Sequence, residues 1–183
     1  MPGVVAFTGR AGSGKSTAAD HLVACGWVRV KFADPLKNMV RALLAASGMP
    51  AVEIERRIEG DLKEMPDPIL GGKTPRYAMQ TLGTEWGRQA IDSGLWTGIA
   101  QAQILAHLQA GLSVVVDDCR FENEAAVVRD LGGLVVELRG RGGIAGSHVS
   151  ERGVEPDLHC PNTGTIAELR GWIDYVLLTT DQD

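Results

Sequence analysis

A glycine-rich octapeptide near the start of the chain carries the most specific chemistry in this sequence. Residues 9–16 are Gly-Arg-Ala-Gly-Ser-Gly-Lys-Ser, which matches G-x-x-x-x-G-K-[ST] at every fixed position. Glycines allow successive backbone N–H groups to point at phosphate oxygens, and Lys15 offers a cation to the β- and γ-phosphates. The Ser16 hydroxyl can reach Mg²⁺. The pattern predicts a phosphate-binding loop for ATP and Mg²⁺.

The sequence on either side of this loop favours the same interpretation. Residues 4–8 form a short apolar run typical of a buried strand, and a helical pattern begins at Lys15. The positive end of the helix dipole would then lie at the phosphates. The predicted nucleotide-binding residues of this segment are Gly9, Arg10, Ala11, Gly12, Ser13, Gly14, Lys15, Ser16 and Thr17.

Two aspartates follow the most apolar predicted strand, at residues 113–116. An acidic residue at the end of such a strand is the second element expected near Mg²⁺ beside a phosphate loop. Because neighbouring side chains on a strand point in opposite directions, only one of Asp117 and Asp118 should face the metal. The spacing alone leaves open which of the two does so.

Short apolar segments alternate with helical ones along the chain, which indicates a parallel sheet covered on both faces. We predict an α/β fold of the P-loop NTPase type, with three layers: a five-stranded parallel sheet flanked by helices, plus a small helical substrate-binding insertion. Strands are predicted at 4–8, 27–32, 113–116, 134–138 and near 158–160. Later helices are predicted at 36–47, 52–59, 76–91, 96–109, 122–131 and 166–178.

Ligands of such sheets bind at the carboxyl ends of the strands. The phosphate loop, Asp34, the aspartate pair and Arg139 should therefore share one edge of the sheet. The length of 183 residues suits a single domain, 1–183. Within it, 51–95 is predicted to be the substrate-binding insertion, and the glycine-rich basic segment 139–152 a lid loop.

Composition narrows the class of partner. The chain has 18 Lys and Arg against 23 Asp and Glu, a formal net charge of −5, whereas proteins that wrap nucleic acid usually carry a basic surplus. This balance favours a small-molecule substrate. The apolar runs are too short to cross a bilayer, no signal peptide is recognisable, and three scattered cysteines fit reduced thiols. A cytoplasmic protein is expected.

Other users of a phosphate loop are disfavoured by missing motifs. The guanine-binding Asn-Lys-x-Asp sequence is absent, as is the Leu-Ser-Gly-Gly signature of transporters, and the chain is short for a motor. Small kinases instead need cations around the phosphates of both the donor and the acceptor. A guanidinium group can bind two oxygens of one phosphate at the same time. Arginines at predicted loops and helix ends are Arg76, Arg88, Arg120, Arg139, Arg141 and Arg152.

Several segments beyond the phosphate loop resemble the deoxynucleoside monophosphate kinases of bacteriophages and prophages. The most distinctive is 79–88, Met-Gln-Thr-Leu-Gly-Thr-Glu-Trp-Gly-Arg, and 118–124, Asp-Cys-Arg-Phe-Glu-Asn-Glu, is similar to the family's Asp-x-Arg-Phe-x-Asn-Glu stretch. The other similar segments are 32–37, 63–66, 74–76, 148–151 and 162–165. The resemblance implies transfer of the γ-phosphoryl group of ATP to a deoxynucleoside 5′-monophosphate.

The resemblance also implies roles for the residues on the ATP side. Lys15 would contact the β- and γ-phosphates, and Ser16 with Asp118 would hold Mg²⁺. Arg139 and Asn162 would border the adenine of ATP. The implied catalytic residues are Lys15, Asp34 and Arg120.

On the acceptor side, Arg76, Gln80 and Arg88 would hold the monophosphate, and Arg120 would bridge donor and acceptor. Asp34 would orient the acceptor or its metal-bound waters, and Lys37 lies in the same similar segment. The implied substrate-binding residues are thus Asp34, Lys37, Arg76, Gln80, Arg88 and Arg120. The partner would be a nucleotide, with no membrane, and the sequence allows a homodimer.

Two other functions stay open at this point. A kinase with a hydroxyl acceptor, such as a nucleoside or a hydroxymethylated pyrimidine in phage DNA, would need a general base, for which Asp34 is the candidate. DNA is a partner only in that case. A nucleotide-dependent scaffold that lost turnover is the third function, but intact Lys15, Ser16 and Asp118 argue against it.

Overall fold

The computed structural model describes residues 3–142 and 154–179. Five parallel strands form one sheet in the order β2-β3-β1-β4-β5. This order places β1, which precedes the phosphate loop, at the centre of the sheet. The strands are β1 (Val4–Thr8), β2 (Val28–Val30), β3 (Val114–Val116), β4 (Leu134–Arg139) and β5 (Leu158–Pro161).

Both faces of the sheet are buried, which explains why its central strands are uniformly apolar. Every residue of β1 and β3 is buried. Alternate side chains enter two separate cores, because successive strand residues point to opposite faces. The first core contains Val4, Ala6, Val114, Val116, Ala100, Ile104, Ala125 and Val128, and the second contains Val5, Phe7, Val115, Ala18, Leu22, Leu169 and Ile173. The predicted three-layer arrangement is confirmed.

Helices supply the outer layers and the connections. Their bounds agree with the predicted ones within about two residues, apart from the segment after Thr81. None of the helices among the described residues is long and apolar enough to span a membrane. The helices are α1 (Lys15–Ala24), α2 (Asp34–Ala46), α3 (Ala51–Ile58), α4 (Pro75–Thr81), a π-helix (Leu82–Ile91), α5 (Leu95–Gln109), α6 (Glu122–Asp130) and α7 (Ile166–Thr179).

The chain divides into two compact units, and the second boundary falls within α5. The first unit, 1–32 with 99–183, contains the sheet. The second unit, 33–98, has its own core, made by Val40, Leu44, Ile54, Ile58 and Met79. The predicted insertion 51–95 lies inside the second unit, and its role in substrate binding stays a prediction. Of the predicted lid at 139–152, only residues 139–142 are described.

The expected single α-helix over 76–91 changes type part-way. It is α-helical as far as Thr81 and then becomes a π-helix. The indole N–H of buried Trp96 donates to the carbonyl oxygen of Gly83 at 2.8 Å. The same ring occupies the space beside Gly87, where an added Cβ would stand 2.5 Å from the indole. Gly87 thus leaves room for the ring, and Gly83 supplies the carbonyl oxygen that it binds. Short π-helical segments of this kind are often found at functional sites.

We expect Gly87→Ala to lower the free energy of unfolding by about 1–3 kcal/mol, because the new methyl group overlaps the Trp96 ring and forces a shift. Gly98→Ala is the matched control in α5, since no described atom lies within 4 Å of its added Cβ. Helix propensity should make that variant more stable by roughly 0.5–1 kcal/mol. Urea unfolding followed by circular dichroism measures both, and equal midpoints would contradict this packing account.

Candidate nucleotide-binding site

The phosphate loop joins β1 to α1 through backbone that only glycine adopts readily. Gly9, Gly12 and Gly14 have φ values of 125°, 76° and 98°. An added Cβ at Gly9 would stand 2.8 Å from the carbonyl oxygen of Leu138 in β4. Among the described residues no side chain caps the N-terminus of α1. Its first N–H groups can therefore serve an anion, as the motif predicts.

Lys15 bends back over the loop. Its Nζ donates to the carbonyl oxygens of Gly9 at 2.7 Å and Arg10 at 2.8 Å. Burial lowers the pKa of the Lys15 ammonium, and the Arg120 charge lowers that pKa further, whereas Asp117 and Asp118 oppose the shift. Lys15 and the two aspartates follow adjacent parallel strands, β1 and β3, whose carboxyl ends lie at the same edge of the sheet.

The two aspartates after β3 lie in different surroundings. The Asp117 side chain is only 2% exposed, and its carboxylate lies 3.7 Å from Nη1 of Arg29 and 3.5 Å from Nζ of Lys31. The Oδ1 atom of Asp118 accepts a hydrogen bond from the backbone N–H of Phe32 at 3.0 Å, and Asp118 is half-buried. Asp118 is therefore the more open of the two, whereas both carboxylate oxygens of Asp117 are buried without a hydrogen-bond partner among the described residues.

Arg120 is exposed, but its backbone is tightly held. The buried Glu124 carboxylate accepts from the backbone N–H of Arg120 at 2.7 Å and from that of Phe121 at 3.1 Å. This contact fixes the chain where it enters α6. Sequence reasoning assigned no role to Glu124, although a glutamate in the first turn of a helix is a recognised capping signal.

Asn162 reaches the loop from the end of β5, and Arg139 is the last residue of β4. The Asn162 side chain is buried, and its Nδ2 donates to the carbonyl oxygen of Ser13 at 2.8 Å. The Asn162 backbone N–H donates to the carbonyl oxygen of Arg139 at 2.6 Å. The Nε atom of Arg139 is bonded to Glu137 Oε2 at 2.5 Å. Contact of Arg139 or Asn162 with adenine stays a prediction.

Two of the cations predicted for the acceptor, Lys37 and Arg76, lie in the second unit, and each is beside a carboxylate. The Nζ atom of Lys37 donates to Glu59 Oε1 at 2.7 Å, and Nε of Arg76 is paired with Glu64. Gln80 follows Arg76 by four residues on α4, so both lie on one face of that helix. These pairs keep the two cations ordered without a bound phosphate.

Asp34 and Arg88 complete the predicted acceptor set. Strand β2 ends at Val30, and Asp34 is the first residue of α2, where a carboxylate is favoured by the helix dipole. Arg88 is half-buried in the last turn of the π-helix, directly after Gly87. Its backbone thus directly follows the contact between Gly87 and Trp96.

Comparison with known proteins identifies the group to which this architecture belongs. The family model for deoxynucleotide monophosphate kinase matches residues 71–173. The chain belongs to the deoxynucleotide monophosphate kinase family. A viral relative named as such a kinase, from Acanthamoeba polyphaga mimivirus, is 32% identical over 163 residues, covering 81% of this chain and 80% of the relative. The family resemblance noted in the sequence is confirmed, and the chain is a phosphotransferase.

A solved structure agrees at the level of the fold. The Thermus thermophilus protein TT1252 is 18% identical, with a TM-score of 0.51 over 96% of each chain. This similarity concerns the fold alone. A phage or prophage origin stays a prediction.

For this family member, Lys15→Ala should remove the cation held over the loop and reduce phosphoryl transfer from ATP by at least about a hundredfold. Arg170→Ala, which removes an exposed cation from α7, is the control and should leave the rate unchanged. The rate of ADP formation measures the effect. Full activity in the Lys15→Ala variant would show that the loop is not the ATP site.

Proposed function

We propose that this kinase moves the γ-phosphoryl group of ATP to the 5′-phosphate of a deoxynucleoside monophosphate, giving ADP and a deoxynucleoside diphosphate. The observation that carries the proposal is the position of Lys15, which lies over the glycine loop after β1, beside the strand that ends in the two aspartates. Family membership supports the choice of acceptor.

On the donor side, the N–H groups of the loop and of the first turn of α1 would hold the β- and γ-phosphates. Lys15 would exchange the carbonyl oxygens of Gly9 and Arg10 for phosphate oxygens. The ammonium lies partly out of water, which strengthens its attraction to phosphate. Arg120 would stabilise the negative charge on the phosphate oxygens in the transition state of the transfer.

The residues at this edge fit a magnesium ion. Ser16 is exposed in the first turn of α1, Asp118 is half-buried after β3, and Mg²⁺ prefers such oxygen ligands. Asp117 is a poorer ligand because Arg29 and Lys31 already neutralise its enclosed carboxylate. The bound ion would supply positive charge to the β- and γ-phosphate oxygens. Ser16 and Asp118 would orient it.

The acceptor needs positioning more than deprotonation. A nucleoside monophosphate has a second phosphate pKa of about 6, so at neutral pH its oxygen is already anionic. That oxygen forms the new bond to the γ-phosphorus while the bond from phosphorus to the β–γ bridging oxygen breaks. Arg76, Gln80 and Arg88 would hold the monophosphate, with Arg76 exchanging Glu64 for phosphate. Lys37 would similarly exchange Glu59.

A panel of acceptors tests the proposal. ATP is offered with each deoxynucleoside monophosphate, each ribonucleoside monophosphate, free nucleosides and hydroxymethylpyrimidine DNA, and ADP release is followed. We expect release to rise with deoxynucleoside monophosphates. Stimulation by a nucleoside or by DNA, but by no monophosphate, would instead establish a hydroxyl acceptor. ADP release that no acceptor stimulates would rule out both.

Asp34→Asn separates an orienting carboxylate from a general base. Since an anionic phosphate acceptor needs no base, the variant should keep a measurable fraction of the wild-type kcat, with the larger change in KM for the acceptor. A hydroxyl acceptor would lose about 10²–10⁴-fold in rate without its base. Steady-state kinetics with the best acceptor of the panel provides the measurement.

A further inference from the structure

We infer that Asn162 is a positioning residue for the phosphate loop: its side-chain amide fixes the orientation of one loop peptide and thereby sets the affinity for the phosphate chain of ATP. This role differs from contact with adenine. It concerns ATP binding alone and does not depend on which acceptor is used.

The amide of Asn162 reaches the loop from a distant part of the sequence. Its Nδ2 donates to the carbonyl oxygen of Ser13 at 2.8 Å across 149 residues, and both residues are buried. The backbone N–H of Asn162 donates to the carbonyl oxygen of Arg139 at the end of β4. Asn162 is therefore anchored to the sheet by its backbone while its side chain supports the loop.

The space beside Gly14 matches the amide closely. An ideal Cβ at Gly14 would stand 2.5 Å from Nδ2 of Asn162, and the φ of Gly14 is 98°. A residue with a side chain at position 14 would collide with the amide. The close approach of the Asn162 amide therefore requires glycine at position 14.

This contact determines the direction of an N–H group that can bind phosphate. The carbonyl of Ser13 and the N–H of Gly14 belong to the same peptide group, which is planar and trans, so they point in opposite directions. With the carbonyl oxygen held towards Asn162, the N–H of Gly14 points away from Asn162. The N–H of Ser13 donates a hydrogen bond to the carbonyl oxygen of Arg10 at 3.1 Å, which closes the turn over residues 10–13.

Without the Asn162 amide, the Ser13 carbonyl oxygen would lose its buried donor, and the peptide would gain freedom to rotate because Gly14 tolerates many backbone angles. Rotation would turn a carbonyl oxygen, instead of an N–H, towards the phosphates. The affinity for phosphate should therefore fall, whatever base the nucleotide carries.

The experiment compares ATP with inorganic tripolyphosphate, which lacks adenine and ribose. For Asn162→Ala we expect the dissociation constants of both ligands, measured by isothermal titration calorimetry, to rise by the same factor, roughly tenfold to a hundredfold. Weaker binding of ATP with unchanged binding of tripolyphosphate would indicate adenine contact and overturn the inference. Unchanged binding of both ligands would do so too.

Two further variants complete the design. Asn162→Asp keeps the side-chain volume and the backbone bond to Arg139, but its carboxylate cannot donate to the Ser13 carbonyl and adds a negative charge. It should therefore weaken the binding of both ligands even if the alanine variant fails to fold. Gln103→Ala removes an exposed amide from α5 and should change neither constant. At saturating ATP, the KM for the acceptor should stay at the wild-type value in Asn162→Asp. Unaltered tripolyphosphate affinity in that variant would contradict the inference.

A failure of the proposed function would look different. If the wild-type protein binds ATP and tripolyphosphate but transfers phosphate to no monophosphate, the choice of acceptor is wrong. The role of Asn162 in the loop would stand or fall by the binding constants alone.

Discussion

The structure of the donor site depends on a turn of bare backbone between β1 and α1. At Gly9 and Gly14 the space that a side chain would need is already occupied, by the Leu138 carbonyl and by the Asn162 amide. Neighbouring strands thus support the loop from one side through main-chain and amide groups. Because the loop is supported in this way, the N–H groups at the start of α1, which no described side chain caps, can donate hydrogen bonds to the phosphates of a nucleotide.

Charge balance around this loop follows from the order of the strands. Strand β3 lies beside β1 and ends in two carboxylates, whose charges oppose the lowering of the Lys15 pKa by burial and by Arg120. The cations of β2 and its continuation, Arg29 and Lys31, lie against Asp117. Asp117 is therefore enclosed beside two cations without a hydrogen bond to the described residues, whereas Asp118 is more open and accepts one from the Phe32 N–H.

Regular patterns in the sequence predicted most of the fold. Apolar runs predicted the strands, and the fixed letters of 9–16 predicted the phosphate loop. Local patterns could not predict features that depend on residues elsewhere in the sequence. The π-helix packs against Trp96, which lies 13 residues from Gly83. Asn162 binds the carbonyl oxygen of Ser13, 149 residues away. Strand alternation left Asp117 and Asp118 equivalent, and only the β2 cations distinguish them.

The acceptor side raises a different energetic question. Lys37 and Arg76 already have carboxylate partners, Glu59 and Glu64, so a phosphate that takes their place must break existing ion pairs. Both side chains of the Arg76–Glu64 pair are substantially exposed, and such pairs contribute only about 0–1 kcal/mol, whereas the Lys37 side chain is mostly buried beside Glu59. A phosphate group carries more charge than a carboxylate and accepts bidentate bonds from a guanidinium, so it can displace these partners. If Lys37 and Arg76 bind the acceptor as proposed, the existing pairs would order both cations before the substrate arrives.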